Sequence, residues 1–299
     1  MNDIHCHFFS ARFFETLAKG LPDAPADPAH DLPARLGWDP PGPPEALADR
    51  WVEELDRHQV RRAALMASVP GDEESIAAAA ARHPDRIVGF FMFDPTAADA
   101  ADRLSRALAR PGLRGICLFP AMHRYAVYED RALRVFEAAA GRPGTIIFVH
   151  CGLLSVGARK KLGLPSRFET RFGNPLDLQL AAATWPALPI LVPHFGAGLF
   201  REALMIADLC PNVLFDTSSS NSWIRYAPGL TLREVLRRML EVAGPGRLVF
   251  GSDSSSFPRG WQHAIYEAQR AILDELGLDA ASAMQIFRGN FDRLFPAGR

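Results

Sequence analysis

Apolar and polar positions along this chain follow two rhythms that keep trading places. Short runs rich in Val, Ile, Leu and Phe predict buried strands, and the segments between them repeat their apolar residues at helical spacing. Residues 2–7 form the first predicted strand. Helix-spaced residues then run over 45–58, followed by a strand at 61–68, an alanine-rich helix at 72–83 and a strand at 86–93. The order continues with helix 97–110, strand 113–119, helix 130–141, strand 145–150, helix 174–185 and strand 189–194. Helix 199–210, a short strand 213–216, helix 231–243, strand 247–252 and helix 262–276 follow, then short helical turns to Phe295. Eight strands each followed by a helix predict an α/β fold, a (β/α)8 TIM barrel. No composition break or internal repeat divides the chain, so one domain over 1–299 is expected.

One stretch breaks the alternation. Residues 8–44 carry Pro22, Pro25, Pro28, Pro33, Pro40, Pro41, Pro43 and Pro44, a density that rules out a long regular helix across its second half. A long proline-rich loop directly after the first strand is expected to lie over the barrel mouth, either as a lid or as a simple cover. Phe8, Phe9, Phe13, Phe14 and Trp38 give it apolar material to pack.

Composition narrows the partners. The formal charge is −1 and the pI about 6.8, which gives no electrostatic case for nucleic acid. No apolar run reaches the roughly 18 residues of a membrane span. The first strand starts at residue 2, leaving no room for a cleaved leader, and Cys6, Cys117, Cys151 and Cys210 form no disulfide pattern. A cytoplasmic protein acting on a small molecule is the expectation.

The chemistry concentrates where the apolar runs end. His5 and His7 stand two apart in the first strand, so both project to one side while Cys6 points away. His150, His194 and Asp253 each close a later run. A parallel barrel gathers such ends on one face, where a metal site becomes the favoured reading. Taken singly, His194 could be a packed core histidine and Asp253 a helix cap. His30, His58, His83, His123 and His263 fall in loops or helices and are read as surface residues; His123 alone follows a strand end.

Asp3-x-His5-x-His7, Phe148-Val-His150-Cys-Gly152, Pro193-His194-Phe-Gly-Ala-Gly198 and Phe250-Gly-Ser-Asp253 resemble the amidohydrolase superfamily. The branch most similar is the amidohydrolase-related one that contains aminocarboxymuconate-semialdehyde decarboxylase. Residues 86–95 and 286–295 share that likeness, which spans nearly the whole chain. The resemblance implies one divalent ion, commonly zinc, held by His5, His7, His150 and Asp253, with a water in the open position. It also implies a proton-transfer role for His194, shared with Asp253. Binuclear members carry a bridging lysine on the fourth strand. Here that position is Cys117 and the strand holds no lysine, so a one-metal site is expected. Members of the branch are often dimers, which makes a homodimer an expectation from the likeness only.

The same ligands serve two reactions, hydrolysis of an ester, lactone or amide and non-oxidative decarboxylation, so they do not choose between them. Carboxylate recognition needs a cation, and Arg12, Arg124, Arg159, Lys160, Lys161, Arg167, Arg171, Arg225 and Arg259 are the candidates near strand ends. Arg12, Arg259 and Trp223 are taken as the substrate-binding set, with Tyr226, Phe257 and Trp261 as further aromatic wall.

Overall fold

A computed structural model describes residues 1–297. Eight strands pair in parallel and in sequence order: β1 (Asn2–Phe8), β2 (Arg62–Ala67), β3 (Ile87–Phe93), β4 (Leu113–Leu118), β5 (Ile146–Val149), β6 (Ile190–Val192), β7 (Val213–Asp216) and β8 (Leu248–Val249). The barrel closes through backbone just past β8. Ile4 N donates to Phe250 O at 2.9 Å, Asp253 N to His5 O at 2.8 Å and His7 N to Ser254 O at 2.7 Å. The fold is therefore the (β/α)8 barrel that the alternation predicts.

The period of two along each strand sorts side chains into two layers. Ala64 and Met66, Val88, Phe90 and Met92, Cys117, Phe148, Leu191, Leu214 and Val249 fill the inside. Their neighbours, such as Leu65, Phe91, Ile116, Ile147 and Val213, pack outward against the helices. Gly115 makes room inside the barrel, because a Cβ there would lie 2.2 Å from the Phe90 ring. Phe291, Leu294 and Phe295 join the inner layer from the C-terminal turns, with Phe295 set 5.9 Å from Phe90.

The proline-rich stretch is more ordered than its composition suggests. It contains α1 (Ala11–Ala18) and α2 (Pro28–Leu36), so the expectation of a long loop needs correcting. Pro28 occupies a first-turn position where no N–H is needed, and Gly37 ends α2 at φ 71°. Phe13, Phe14, Leu17, Leu32 and Leu36 form a small apolar cluster with Val69, Ala158 and Leu164. That cluster roofs the C-terminal end of the barrel.

Candidate metal centre and active site

Alternation delivers the site residues. In β5 the inward series Ile146, Phe148 continues to His150, and in β7 Leu214 continues to Asp216. In β1 a register shift between Asp3 and Cys6 interrupts the series. Asp3 is thereby separated from the histidines. Its Oδ2 accepts from Trp261 Nε1 at 2.7 Å, and its Oδ1 accepts from His5 N at 2.9 Å and Ser252 N at 3.2 Å. Asp3 thus staples the first strand to the end of the eighth.

His5, His7, His150, His194 and Asp253 all line one cavity of about 1280 Å³. His7 Nε2 lies 3.0 Å and His5 Nε2 3.8 Å from Asp253 Oδ1. His5, His7 and Asp253 offer ligand atoms within 4.8 Å of one another. The His194 ring sits 5.1 Å from His5 and 5.4 Å from His150.

Hydrogen bonds behind the rings fix which nitrogen faces the cavity. His5 Nδ1 donates to Asp216 Oδ2 at 2.8 Å. Ser68 Oγ gives its proton to Met66 O, so it accepts from His7 Nδ1 at 2.7 Å. His194 Nδ1 meets Ser218 O at 3.2 Å and Ser218 Oγ at 2.9 Å. These contacts place each Nδ1 behind and each Nε2 toward the cavity, so that in its neutral form each ring presents the Nε2 lone pair a ligand or a base requires. His150 is different: its Nδ1 is buried with no hydrogen-bond partner.

The charges agree with a cation-binding spot. Burial alone would push the His5 pKa down, but Asp216, then Asp253 and Asp3, outweigh it and raise the value to about 9. Burial, with His194 and His5 nearby, pushes His150 down to about 3 and keeps it neutral. Burial also lowers His7. Against the cost of burial, His7, His5 and His194 hold Asp253 far below the ordinary carboxylate range. Three imidazoles, one of them His150 with its orphaned buried nitrogen, and one carboxylate are a donor set that fits a single divalent ion. Cys117 packs in the inner apolar layer, where burial drives its thiol pKa well up.

Backbone geometry at this end is unusual. His194, Phe195, Gly196, Ala197 and Gly198 all have positive φ, between 41° and 100°. Asp253 at 59° is another non-glycine in the left-handed region. Such conformations cost roughly 1–3 kcal/mol each and persist where packing fixes them. Gly152 supplies part of that packing, since a Cβ on it would meet Gly196 O at 2.2 Å and Ala197 O at 2.4 Å. The turn after His150 is thus seated directly on the turn that aims His194.

Sequence reasoning missed Asp216, Ser218 and Ser68. Asp216 is fully buried and also accepts from His194 N at 3.1 Å, Ser218 N at 3.0 Å and Ser218 Oγ. Its signal was present, because it closes a predicted strand just as His150 does.

The substrate-binding set separates. Arg259 lines the cavity, with Nη2 donating to Ser255 Oγ at 2.6 Å. Arg12 does not; it is exposed on α1 and faces Glu15 at 3.5 Å. Trp223 does not either: it is buried against Phe200 and donates to Asn221 Oδ1 at 3.0 Å. Arg124, Arg159, Lys161 and Arg167 bring further positive charge to the cavity, and Phe9, Phe13, Trp38 and Phe119 bring aromatic surface. His123 also lines the cavity and is only partly exposed, which corrects its reading as a surface residue.

These features define a barrel hydrolase-type site of the kind the motifs resemble, and the comparisons with known proteins say which family it is. The amidohydrolase family model matches residues 2–297, so the chain belongs to the amidohydrolase family, an enzyme family. Among solved structures it is similar to a probable 2-pyrone-4,6-dicarboxylic acid hydrolase from Acinetobacter baumannii with citric acid bound, at 16% identity, 99% of each chain covered and a TM-score of 0.64. It is similar to a variant 5-carboxyvanillate decarboxylase from Novosphingobium aromaticivorans, holding manganese and 3-methoxy-4-hydroxy-5-nitrobenzoic acid, at 16% identity, coverage of 98% of this chain and 97% of that one, and a TM-score of 0.65. A zinc-bound amidohydrolase from Burkholderia multivorans gives 18% identity, the same coverage and a TM-score of 0.64. No curated relative matches the chain. Among the described residues, no helix is long and apolar enough to cross a membrane.

Proposed function

We propose that this chain is a one-domain, metal-dependent hydrolase of a small ester, lactone or amide. The observation that carries the reading is the convergence of His5 Nε2 and His7 Nε2 on Asp253 Oδ1, with each Nδ1 tied back to an acceptor. His5, His7, His150 and Asp253 would hold one divalent ion, zinc in our reading. When bound, that ion supplies Lewis acidity, polarising a carbonyl and acidifying water.

The remaining work belongs to side chains. His194 has its Nδ1 engaged by Ser218, so its Nε2 is free to take a proton from water and return it to the leaving group. Asp216 steadies both His5 and the His194 backbone, keeping the two rings in register. The phenyl rings of Phe119 and Phe148 pack at 5.5 Å from His150 and 5.1 Å from His5, keeping bulk water off their faces. Arg259, Arg167 and Lys161 would draw in an anionic substrate.

That positive rim favours a second reading, decarboxylation of an unsaturated or aromatic acid, with His194 moving the proton. The decarboxylase and the hydrolase among the similar structures support both. Four buried unpaired cysteines agree with a cytoplasmic location. The test is metal content per chain by mass spectrometry, then turnover of a lactone panel against carbon dioxide release from a carboxylate panel. Release of carbon dioxide without lactone opening would replace hydrolysis by decarboxylation. Protein that retains no ion after zinc or manganese supplementation would remove both.

A further inference from the structure

We propose that His123 is a specificity residue: its Nε2 accepts a hydrogen bond from a hydroxyl group of the substrate, with Asp94 as the positioning residue behind Nδ1. The proposal rests on the reading of this cavity as the substrate site.

His123 ends a short helix, Pro120–His123, that follows β4. Its N–H bonds back to Phe119 O at 3.0 Å, which places the two side chains a helical turn apart on one face. Phe119 stacks on His150 at 5.5 Å, so His123 stands one turn further along the same wall. Its side chain is 10% exposed and lines the cavity. Nδ1 is buried without a hydrogen-bond partner, and in the proposal Nε2 is the nitrogen that serves the cavity the ring lines.

Asp94 Oδ1 stands 4.0 Å from Nδ1, within ion-pairing range and just beyond a hydrogen bond. Asp94 is itself held by Thr96, through N at 2.9 Å and Oγ1 at 2.7 Å. This carboxylate selects the tautomer with the proton on Nδ1. Burial keeps the ring neutral by lowering its pKa, with Asp94 opposing. A neutral imidazole protonated at Nδ1 offers only a lone pair at Nε2. It therefore selects a donor on the substrate, an O–H rather than an ether or a carboxylate. Contacts of this kind often tighten only when the substrate arrives. None of the metal-centre residues makes a hydrogen bond to His123, so its role is separable from ion binding.

The test uses the full-length zinc-loaded protein and calorimetric titration with meta- and para-hydroxybenzoate against their methoxybenzoate counterparts. The wild type is expected to bind a hydroxy acid at least about tenfold more tightly than its methyl ether, since a site built around a hydroxyl rejects analogues that lack it. His123→Phe keeps the aromatic volume and should bring the pair within about threefold, chiefly by weakening the hydroxy acid. His123→Gln retains an acceptor and should restore part of the preference. Asp94→Ala should reduce the preference while leaving methoxybenzoate affinity unmoved, which a merely structural role would not do. Metal content is measured for every variant. An undiminished preference in His123→Phe with the ion in place overturns the proposal alone, as does a wild type that shows no preference or binds none of the acids. Loss of the ion from the wild type overturns the metalloenzyme reading instead.

Discussion

Replacing Asp216 by Asn should damage the metal centre more than its conservative chemistry suggests. One carboxylate oxygen, Oδ1, receives the Ser218 N–H at 3.0 Å, the His194 N–H at 3.1 Å and the Ser218 hydroxyl. The other, Oδ2, receives His5 Nδ1–H at 2.8 Å. An asparagine has only one acceptor oxygen, and the backbone donors claim it. Its NH2 must then face His5 Nδ1, which forces the imidazole proton onto Nε2. That is the nitrogen that looks toward Asp253, and a protonated nitrogen cannot ligate. A hydrogen bond to a charged group contributes about 1.5–3 kcal/mol, and loss of an oriented supporting carboxylate costs metal sites roughly 10–100-fold in affinity. We expect Asp216→Asn to fall at or beyond the upper end of that range, and Asp216→Ala, which leaves the His5 tautomer free, to lose no more than Asn. Zinc competition with a chromophoric chelator reads the affinity, and thermal unfolding of the apo forms controls for folding. An Asn variant that holds zinc within about threefold of wild type would refute the tautomer argument.

Other perturbations separate the remaining roles. His5→Ala, His7→Ala or His150→Ala should each abolish stable metal retention, whereas His194→Ala should keep about one ion per chain and lose turnover by roughly 10²–10⁴-fold; metal analysis beside activity distinguishes them, and ion loss in His194→Ala would make that residue a ligand. Asp72 is buried against Ser10 at 2.6 Å, and burial lifts its pKa to about 6. The folded state therefore holds this proton longer than the unfolded chain, so stability falls as pH rises from about 4 through 6, by about 3 kcal/mol in all. Asp72→Asn should flatten that decline in urea unfolding at a series of pH values, and an unchanged slope would count against it. Gly115→Ala should cost roughly 1–3 kcal/mol because its new methyl meets the Phe90 ring, itself packed on Phe295; an equally stable variant would mean the barrel interior yields.

How far the chain could be read in advance follows from which regularities carry information. The strands were legible because parallel barrel strands are apolar on both faces and end abruptly; β7 was placed at 213–216, as the structure has it. The proline-rich segment misled because both Pro28 and Pro44 begin helices, where no N–H is needed, and α2 also carries Pro33 within it. Arg12 and Trp223 were chosen for residue type and loop position, and neither property reports direction: one side chain turns to Glu15, the other into the core beside Phe200. His123 was grouped with the histidines of loops and helices, although the strand end it follows, the one feature that set it apart, is what carries it to the cavity wall.

Asp216 marks the difference between recognising a pattern and applying its physics. Five residues in four strand segments, His150, His194, Asp253 and the His5–His7 pair, stand out by their metal-ligating types. Asp216 occupies an equivalent end, two residues past the inward-facing Leu214, and the same alternation places it inside. It binds no ion in our reading, yet its carboxylate holds both the His5 tautomer and the backbone N–H of the left-handed turn at His194. A buried carboxylate must be hydrogen-bonded or paired, and at the end of this strand the partner is the His5 ring. Applied consistently, the strand-end rule locates the residues that aim the ligands together with the ligands.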